Sequence, residues 1–171
     1  MTAGETGGAA AGTQAMTKDL LQLIVFGLGE QRYALSLDAV ERVVRAVEVT
    51  PLPGAPAIVL GAIDVGGCVL PVLNLRRRFL LPEREIGPSD QFLIAQIPGR
   101  AVALVIDEAH GVIERELSAV IGSERIVPGL EQFQGVVRLD DGLVLIHDLQ
   151  KFLSLDETRT LNQAMDRAES C

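Results

Sequence analysis

The sequence predicts an all-β protein that carries one helix near its C-terminus. Three observations indicate this fold class: short runs rich in β-branched residues, turn residues between these runs, and a strand pattern that recurs in the second half of the chain. Hydrophobic residues make up 48% of the 171-residue sequence and aromatic residues only 4%. These values predict an aliphatic core in one domain or in two small subdomains.

The stretch from Thr50 to Phe79 carries the clearest hairpin signal. Its first part is too rich in proline for a regular element. Ile58 to Val65 is then apolar and β-branched enough for a buried strand, and Cys68 to Leu73 returns as its partner. Between them, Gly66-Gly67 can adopt the positive φ angles of a two-residue hairpin turn. Asn74 can cap a short helix after the second strand.

Other elements follow from the same signals along the chain. Asp38 to Arg42 is expected to form a short turn, and Leu80 to Asp90 is expected to be a linker because proline and glycine interrupt it. Ser154 and Glu157 form a capping-box pattern, which predicts a helix from about Leu155 to Arg167. The further predicted strands are Leu20 to Leu28, Arg32 to Leu37, Val43 to Val47, Gln91 to Ile97, Ala101 to Ile106, Gly111 to Glu116, Gly135 to Leu139 and Leu143 to His147.

The strand pattern is duplicated along the chain. Five blocks recur in the same order 69 to 75 residues later. Similar hairpins can match by chance, but the shared order favours a true repeat of a five-strand unit and hence two small barrels. The matched blocks are Ala34 to Ala39 with Ala103 to Glu108, Val43-Val44 with Val112-Ile113, Pro53-Gly54 with Pro128-Gly129, Gly61-Ala62-Ile63 with Gly135-Val136-Val137, and Asn74-Leu75 with Asp148-Leu149. The residues expected to be almost fully buried are Leu35, Ile63, Val72, Leu104 and Val137.

Charge and composition argue against several function classes. Asp and Glu outnumber Lys and Arg by 23 to 15, and the net charge of −8 argues against a nucleic-acid partner. No apolar run approaches the roughly 18 residues of a membrane helix, so direct membrane insertion is not expected. The first 19 residues are rich in Gly, Ala and Thr and lack the pattern of a signal peptide, which predicts a disordered tail. The two cysteines do not form a C-x-x-C metal signature.

Candidate reactive residues have simpler interpretations. His147-Asp148 looks like a base with its orienting carboxylate, but adjacent strand residues point to opposite faces. His147 is therefore expected at the surface or partly buried. Asp107, Glu108 and His110 could bind a metal, yet their spacing matches no strong metal motif and a solvated turn is favoured. The sequence predicts no catalytic residue, no metal and no cofactor, and indicates a protein that works by binding other proteins.

Three segments follow a common pattern in order. Tyr33 to Val44 comes first, and Gly142 to Leu149 comes last. Between them, Thr50 to Phe79 contains T-P-L-P-G-x-P followed by G-x-I-x-x-x-G-x-V-L-P-V-x-x-L-R-x-x-F. Together they resemble the CheW-like coupling domain of bacterial chemotaxis. The resemblance implies two pseudo-symmetric five-stranded SH3-like barrels with a shared hydrophobic core. The predicted organisation is thus a disordered tail in 1–19, a CheW-like domain in 20–155 and a C-terminal helix in 156–171.

The resemblance also implies the partners. Members of this family are non-enzymatic adaptors that bind the regulatory domain of a chemotaxis histidine kinase and the cytoplasmic hairpin tip of a chemoreceptor. The expected location is the cytoplasm, at the inner face of the membrane through receptor arrays. One alternative is an adaptor of a pilus-motility or other specialised chemosensory system. Another, from a different class, is a small-ligand-binding β-barrel or an enzyme, either of which would need a concave polar pocket.

Partner-binding residues are predicted on three segments. In the family the central hairpin commonly reads N-x-R-G, whereas this chain has Gly66 in place of the arginine. A carboxylate is also frequent where this chain has Arg42. Both departures predict a changed choice of receptor more than a changed fold. The predicted residues are Val40, Arg42 and Val43 after the first turn, Gly61, Asp64 and Gly66 on the hairpin, and Ala109 and Val112 in the second repeat.

The duplication adds a hypothesis about how these residues are arranged. Ala109 and Val112 lie 69 residues after Val40 and Val43. A pseudo-twofold arrangement could place both pairs along one apolar groove between the barrels. Such a groove would suit an amphipathic helix with anchors every three or four residues, as in a receptor tip.

Overall fold

A computed structural model describes residues 19–122 and 133–168 and confirms the all-β fold class. The predicted tail, except for Asp19, lies outside these residues, as do the final three residues. Within the described ranges the elements are β1 (Leu20–Leu28), β2 (Gln31–Ser36), β3 (Val40–Arg45), β4 (Val59–Val65), β5 (Cys68–Leu73), α1 (Leu75–Arg78), β6 (Gln91–Ile97), β7 (Arg100–Ile106), β8 (Glu108–Glu116), β9 (Ile121–Gly122), β10 (Phe133–Leu139), β11 (Gly142–His147) and α2 (Leu155–Ala168).

Two predicted strand starts were wrong. β3 begins at Val40 rather than Val43, because a bulge between Val40 and Arg42 lets the strand continue pairing with β6. The turn before it is a single 3₁₀ turn over Leu37–Ala39. β8 begins at Glu108 rather than Gly111, since only a bend at residue 107 separates it from β7. In both places the hydrogen-bonded ladder extends further than the apolar pattern does.

The two sheets exchange strands between the sequence repeats. One sheet has the order β8-β1-β2-β11-β10-β9, and the other has the order β3-β6-β7-β5-β4. β1 and β2 of the first repeat therefore pair with the late strands of the second repeat. β3 pairs with β6 and β5 pairs with β7, while β4 pairs with β5. A parallel pair joins the repeats in each sheet, namely β2 with β11 and β5 with β7. Each barrel is thus built from both halves of the chain.

The shared core explains why several strands are apolar on both faces. One buried cluster, which includes Leu35 and Leu104, contains residues from both sheets. A second cluster around Ile63 and Val72 fills the barrel of β3 to β7, and a third around Val137 fills the other barrel. These five residues, predicted to be buried, are at most 4% exposed, which confirms the prediction. Central strands such as β2 and β7 contact one barrel interior on one face and the shared cluster on the other.

Gly61 and Gly135 have matching roles in the two barrels. A Cβ atom on Gly61 would collide with the carbonyl oxygen of Thr50, and one on Gly135 would collide with the carbonyl oxygen of Ile121. At each site a neighbouring backbone segment pairs with the strand: Thr50 with Ala62, and β9 with β10. The alignment of these glycines in the sequence therefore has a common physical cause, which is close backbone approach.

Alanine at either glycine is expected to destabilise the protein by about 1–3 kcal/mol, because the crossing backbone must move away. Denaturant unfolding of Gly61→Ala and Gly135→Ala measures this loss. Gly99→Ala is a control without the collision, since nothing lies within 4 Å of its Cβ position, although its φ of 90° adds some strain of its own. Losses at Gly61 and Gly135 no larger than the loss at Gly99 would contradict the close-approach explanation.

The C-terminal helix packs on the barrel of β3 to β7. Its capping box is confirmed: the Glu157 amide donates to Ser154 Oγ (3.0 Å), and the Ser154 amide donates to Glu157 Oε1 (2.9 Å). Glu157 also forms an ion pair with Arg78 of α1, at 2.6 Å. Leu161, Ala164 and Met165 are buried on the inner face. Neither helix in the described ranges is long and apolar enough to cross a membrane.

Candidate partner-binding site

β3 and β8 occupy equivalent places at one end of each sheet order. Val40 and Val43 of β3 are half-buried and pack against the shared core, as does Ala109 of β8. Val112 lies opposite Ile24, a member of the same core, but is 52% exposed. Three of the four apolar residues predicted for the groove, Val40, Val43 and Ala109, therefore border one cluster, and the fourth, Val112, is an exposed residue of the same strand as Ala109.

The end of β3 and the start of β8 meet at Gln91. This residue pairs with Arg45, the last residue of β3, and its side-chain oxygen accepts a hydrogen bond from the Ala109 amide at 2.7 Å. The next residue pair in the ladder towards the strand interior is Val44 with Phe92. The backbone of β8 is thus fixed to the first residue of β6, next to the strand that carries Val43.

The remaining predicted site residues have other surroundings. Arg42 is exposed on β3. Asp64 lies near the loop 47–53 and near Ala168 at the end of α2. Oδ1 of Asp64 accepts a hydrogen bond from the Gly67 amide at 2.8 Å. Gly66 is exposed with a φ of 60° and Gly67 has a φ of 90°, as expected for the two-residue turn. Gly61 is buried, and its close approach to the Thr50 backbone accounts for glycine at this position.

Asp107 is held by two arginines rather than standing in a solvated turn. Its Oδ1 lies 2.9 Å from Arg76 Nη2 and 2.7 Å from Arg84 Nη2, and its Oδ2 accepts from the Gly29 amide at 2.8 Å. Arg84 also makes two hydrogen bonds, both 2.8 Å, to the carboxylate of Asp90, which is only 3% exposed. These charge-assisted contacts give Asp107 a structural role and correct the expectation of a solvated turn for this residue, whereas Glu108 and His110 are exposed as expected.

His147 is buried, so the expectation of a surface or partly buried residue was wrong. It is 2% exposed and lies among Phe79, Phe133 and Phe152, with ring centroids 5.0–5.4 Å away. Neither ring nitrogen has a hydrogen-bond partner. Burial, together with the charge of Arg78, lowers the pKa of His147 to about 4. The ring is therefore neutral near pH 7 and acts as part of an aromatic core.

This environment predicts a pH-dependent stability. Between pH 6.5 and about 4 the unfolded chain binds a proton at His147 that the folded protein does not bind. Stability is therefore complete above pH 6.5, and it falls by up to about 3 kcal/mol as the pH decreases to 4. Denaturant unfolding across this pH range should show that His147→Leu removes the part of the decrease in unfolding free energy that comes from protonation of His147. His110→Leu at an exposed position is the matched control, and equal pH slopes for the wild type and His147→Leu would refute the prediction.

A model of the CheW-like domain matches residues 22–157. The chain belongs to the CheW-like family. This match spans both barrels, including β3 and β8, and extends to the first turn of α2. The resemblance noted in the sequence is thereby confirmed, and the family is one of chemotaxis scaffold proteins.

Relatives of this CheW-like protein match most of its length. It is 29% identical to the chemotaxis protein CheW of Treponema pallidum over 86% of this chain and 90% of that protein. It is 25% identical to CheW of Rhizobium meliloti over 80% and 89% of the two chains. Among solved structures, the scaffolding protein TtCheW of Thermoanaerobacter tengcongensis is similar with a TM-score of 0.73 and 25% identity, covering 81% of this chain and 96% of that one. The likeness therefore applies to the whole two-barrel unit.

Sequence reasoning missed Arg84 and Asp90 in this CheW-like protein. Both lie in the predicted linker from Leu80 to Asp90, where no periodic pattern of apolar and polar residues indicates the role of a side chain. Arg84 pairs with Asp90 within this segment, and it also pairs with Asp107, which is 17 residues beyond Asp90 and at the far end of a hairpin. The density of charged residues in Pro82 to Glu85 was the one available signal, and it gave no indication of the partner.

Proposed function

We propose that this CheW-like protein is a non-enzymatic adaptor that couples chemoreceptors to a histidine kinase. Family membership carries this proposal, since a family model covers residues 22–157 and the relatives are named as chemotaxis proteins. Coupling requires two binding surfaces on one molecule. The exchange of strands joins the two barrels through both halves of the chain, which suits a bridge between two partners. The proposed location is the cytoplasm, at receptor arrays on the inner membrane face.

For the receptor we propose the surface between β3 and β8. Val40, Val43 and Ala109 lie at one border of the shared core and come from both barrels, and Val112 adds an exposed apolar side chain on β8. An amphipathic helix of a receptor hairpin tip can place its apolar residues there. The polar rim would include Arg42, whose charge contributes more to partner choice than to affinity.

Reconstitution tests the proposal directly. A soluble receptor hairpin tip, a kinase with its regulatory domain and this protein are mixed in all combinations, and kinase autophosphorylation and co-sedimentation are measured. We expect a ternary complex, with kinase activity that depends on the receptor only when this protein is present. Binding of neither partner by a folded sample would refute the adaptor function.

Partner choice is expected to depend on the hairpin between β4 and β5. Gly66→Arg restores the residue type common in the family, and no atom lies within 4 Å of its Cβ position. The φ of 60° adds a cost of about 1 kcal/mol or more for a residue other than glycine. We expect the variant to change the ranking of receptor tips from chemotaxis and pilus-motility systems in a binding panel. Gly66→Asn, which tolerates this φ without adding charge, is the control, and an identical ranking for both variants and the wild type would contradict the prediction.

A further inference from the structure

Arg84 connects two carboxylates at the junction of the barrels. It binds Asp90 with both terminal nitrogens and Asp107 with one of them, while Arg76 of α1 approaches Asp107 from another side. Hydrogen bonding by Arg84 holds the pKa of Asp90 below its usual value, so this carboxylate stays charged. We refer to Arg76, Arg84, Asp90 and Asp107 as the clasp.

The clasp adjoins the ends of β3 and β8. The carbonyl oxygen of Asp90 accepts from the amide of Ala46, one residue after β3, at 3.0 Å. Asp107 immediately precedes β8. Asp107 also binds the amide of Gly29 in the turn between β1 and β2, which belongs to the other barrel. The guanidinium of Arg84 therefore links Asp90, just before β6, to Asp107, just before β8. Through Asp107 it is also connected to the turn between β1 and β2 in the other barrel.

Within residues 19–122 and 133–168, the pseudo-equivalent position has no such contact. Asp38 corresponds to Asp107 in the repeat, and Gln150 corresponds to Arg76. Asp38 is exposed. The two ends of the β3 and β8 pair thus differ in their charged contacts: arginines bind Asp90 and Asp107 at one end, and Asp38 is exposed at the other end.

We propose that the clasp is a positioning device for the receptor surface, fixing β3 and β8 relative to each other at the Ala109 end and leaving the Val40 end free to adjust. This inference rests on the proposed function, because it assigns a purpose to the spacing of these strands. A partner helix would then enter between strands that are held at one end. Val43 and Ala109, near the fixed end, would provide the pre-organised contacts.

A measurement on the otherwise unaltered protein tests the spacing itself. Pairs of nitroxide labels are attached through a non-natural ketone side chain, which leaves the native cysteines untouched. One pair replaces Arg45 and Glu108 at the clasped end, and the other replaces Glu41 and Glu116 at the opposite end; all four positions are exposed. Double electron–electron resonance should give the narrower distance distribution at the clasped end. Equal widths, or a broader distribution at the clasped end, would overturn the proposal.

Variants then test the consequence for binding. Arg84→Gln and Asp107→Asn should broaden the clasped-end distances and weaken receptor-tip binding about tenfold, while kinase binding stays within about twofold. Asp107→Asn retains an oxygen for the Gly29 amide, so it offers a milder change if Arg84→Gln unfolds. Arg77→Gln is the control, since Arg77 is 51% exposed and is 3.5 Å from Glu83, outside the clasp. Two results would overturn the proposal: unchanged label distances in a folded clasp variant, or an equal loss of affinity for the receptor tip and for the kinase.

The two proposals can fail separately. If Val43→Asp leaves receptor binding intact while the clasp variants alter the label distances, the receptor surface is elsewhere and the clasp is only a structural link. If Val43→Asp abolishes binding and the clasp variants change neither distance nor affinity, the receptor surface stands and the positioning device is rejected.

Discussion

Replacing Val43 with Asp is expected to weaken receptor-tip binding by at least about 100-fold, the size of a hot-spot loss. Val43 is half-buried at the border of the shared core and would be covered further by a partner helix. A carboxylate there would have to lose its water shell without gaining a partner. Titration of the folded variant with a soluble receptor tip measures the effect.

Val47→Asp is the matched control for this change. Val47 lies just beyond β3, is 51% exposed and borders a different surface, lined by the loop 47–53. We expect near-normal receptor binding for this variant. Because Val43 also contacts the core, thermal melts must first show that the variant is folded at the titration temperature. A folded Val43→Asp protein that binds as tightly as the wild type would place the receptor surface elsewhere.

Ile63→Ala is expected to lower the free energy of unfolding by roughly 2–5 kcal/mol. Ile63 is 4% exposed and packs with Val72 and Phe92 in the barrel of β3 to β7. Its removal leaves a cavity that neighbouring backbone cannot easily fill, because the ladder with β5 and the bridge between Thr50 and Ala62 hold β4 in place. Denaturant unfolding measures the loss.

Leu60→Ala on the same strand provides the comparison. Leu60 is 40% exposed, so its truncation should cost less than about 0.5–1 kcal/mol. The alternation along β4 thus predicts a large effect at one position and a small one three residues away. Equal losses for the two variants would contradict the register of β4.

The sequence by itself determined the local elements of this protein. Gly66-Gly67 required a tight turn, Ser154 and Glu157 capped a helix, and the matched glycines at 61 and 135 revealed the repeat, all through interactions within a few residues or through direct comparison of the two halves. The motifs also identified the family. The predicted apolar groove residues Val40, Val43, Ala109 and Val112 could be chosen only because the repeat relates them. Their role in binding stays a prediction.

Only the tertiary structure decided how the repeats combine. Each barrel takes strands from both halves, and pairings such as Val144 with Arg32 join residues far apart in the chain. No local propensity encodes such a choice, because it depends on which faces can be buried together once both halves are present. The same reason hid the burial of His147 among aromatic rings and the contacts of Arg84 with Asp90 and Asp107. A polar side chain on a strand or a linker has no periodic signal for its environment, which is set by distant segments that pack around it.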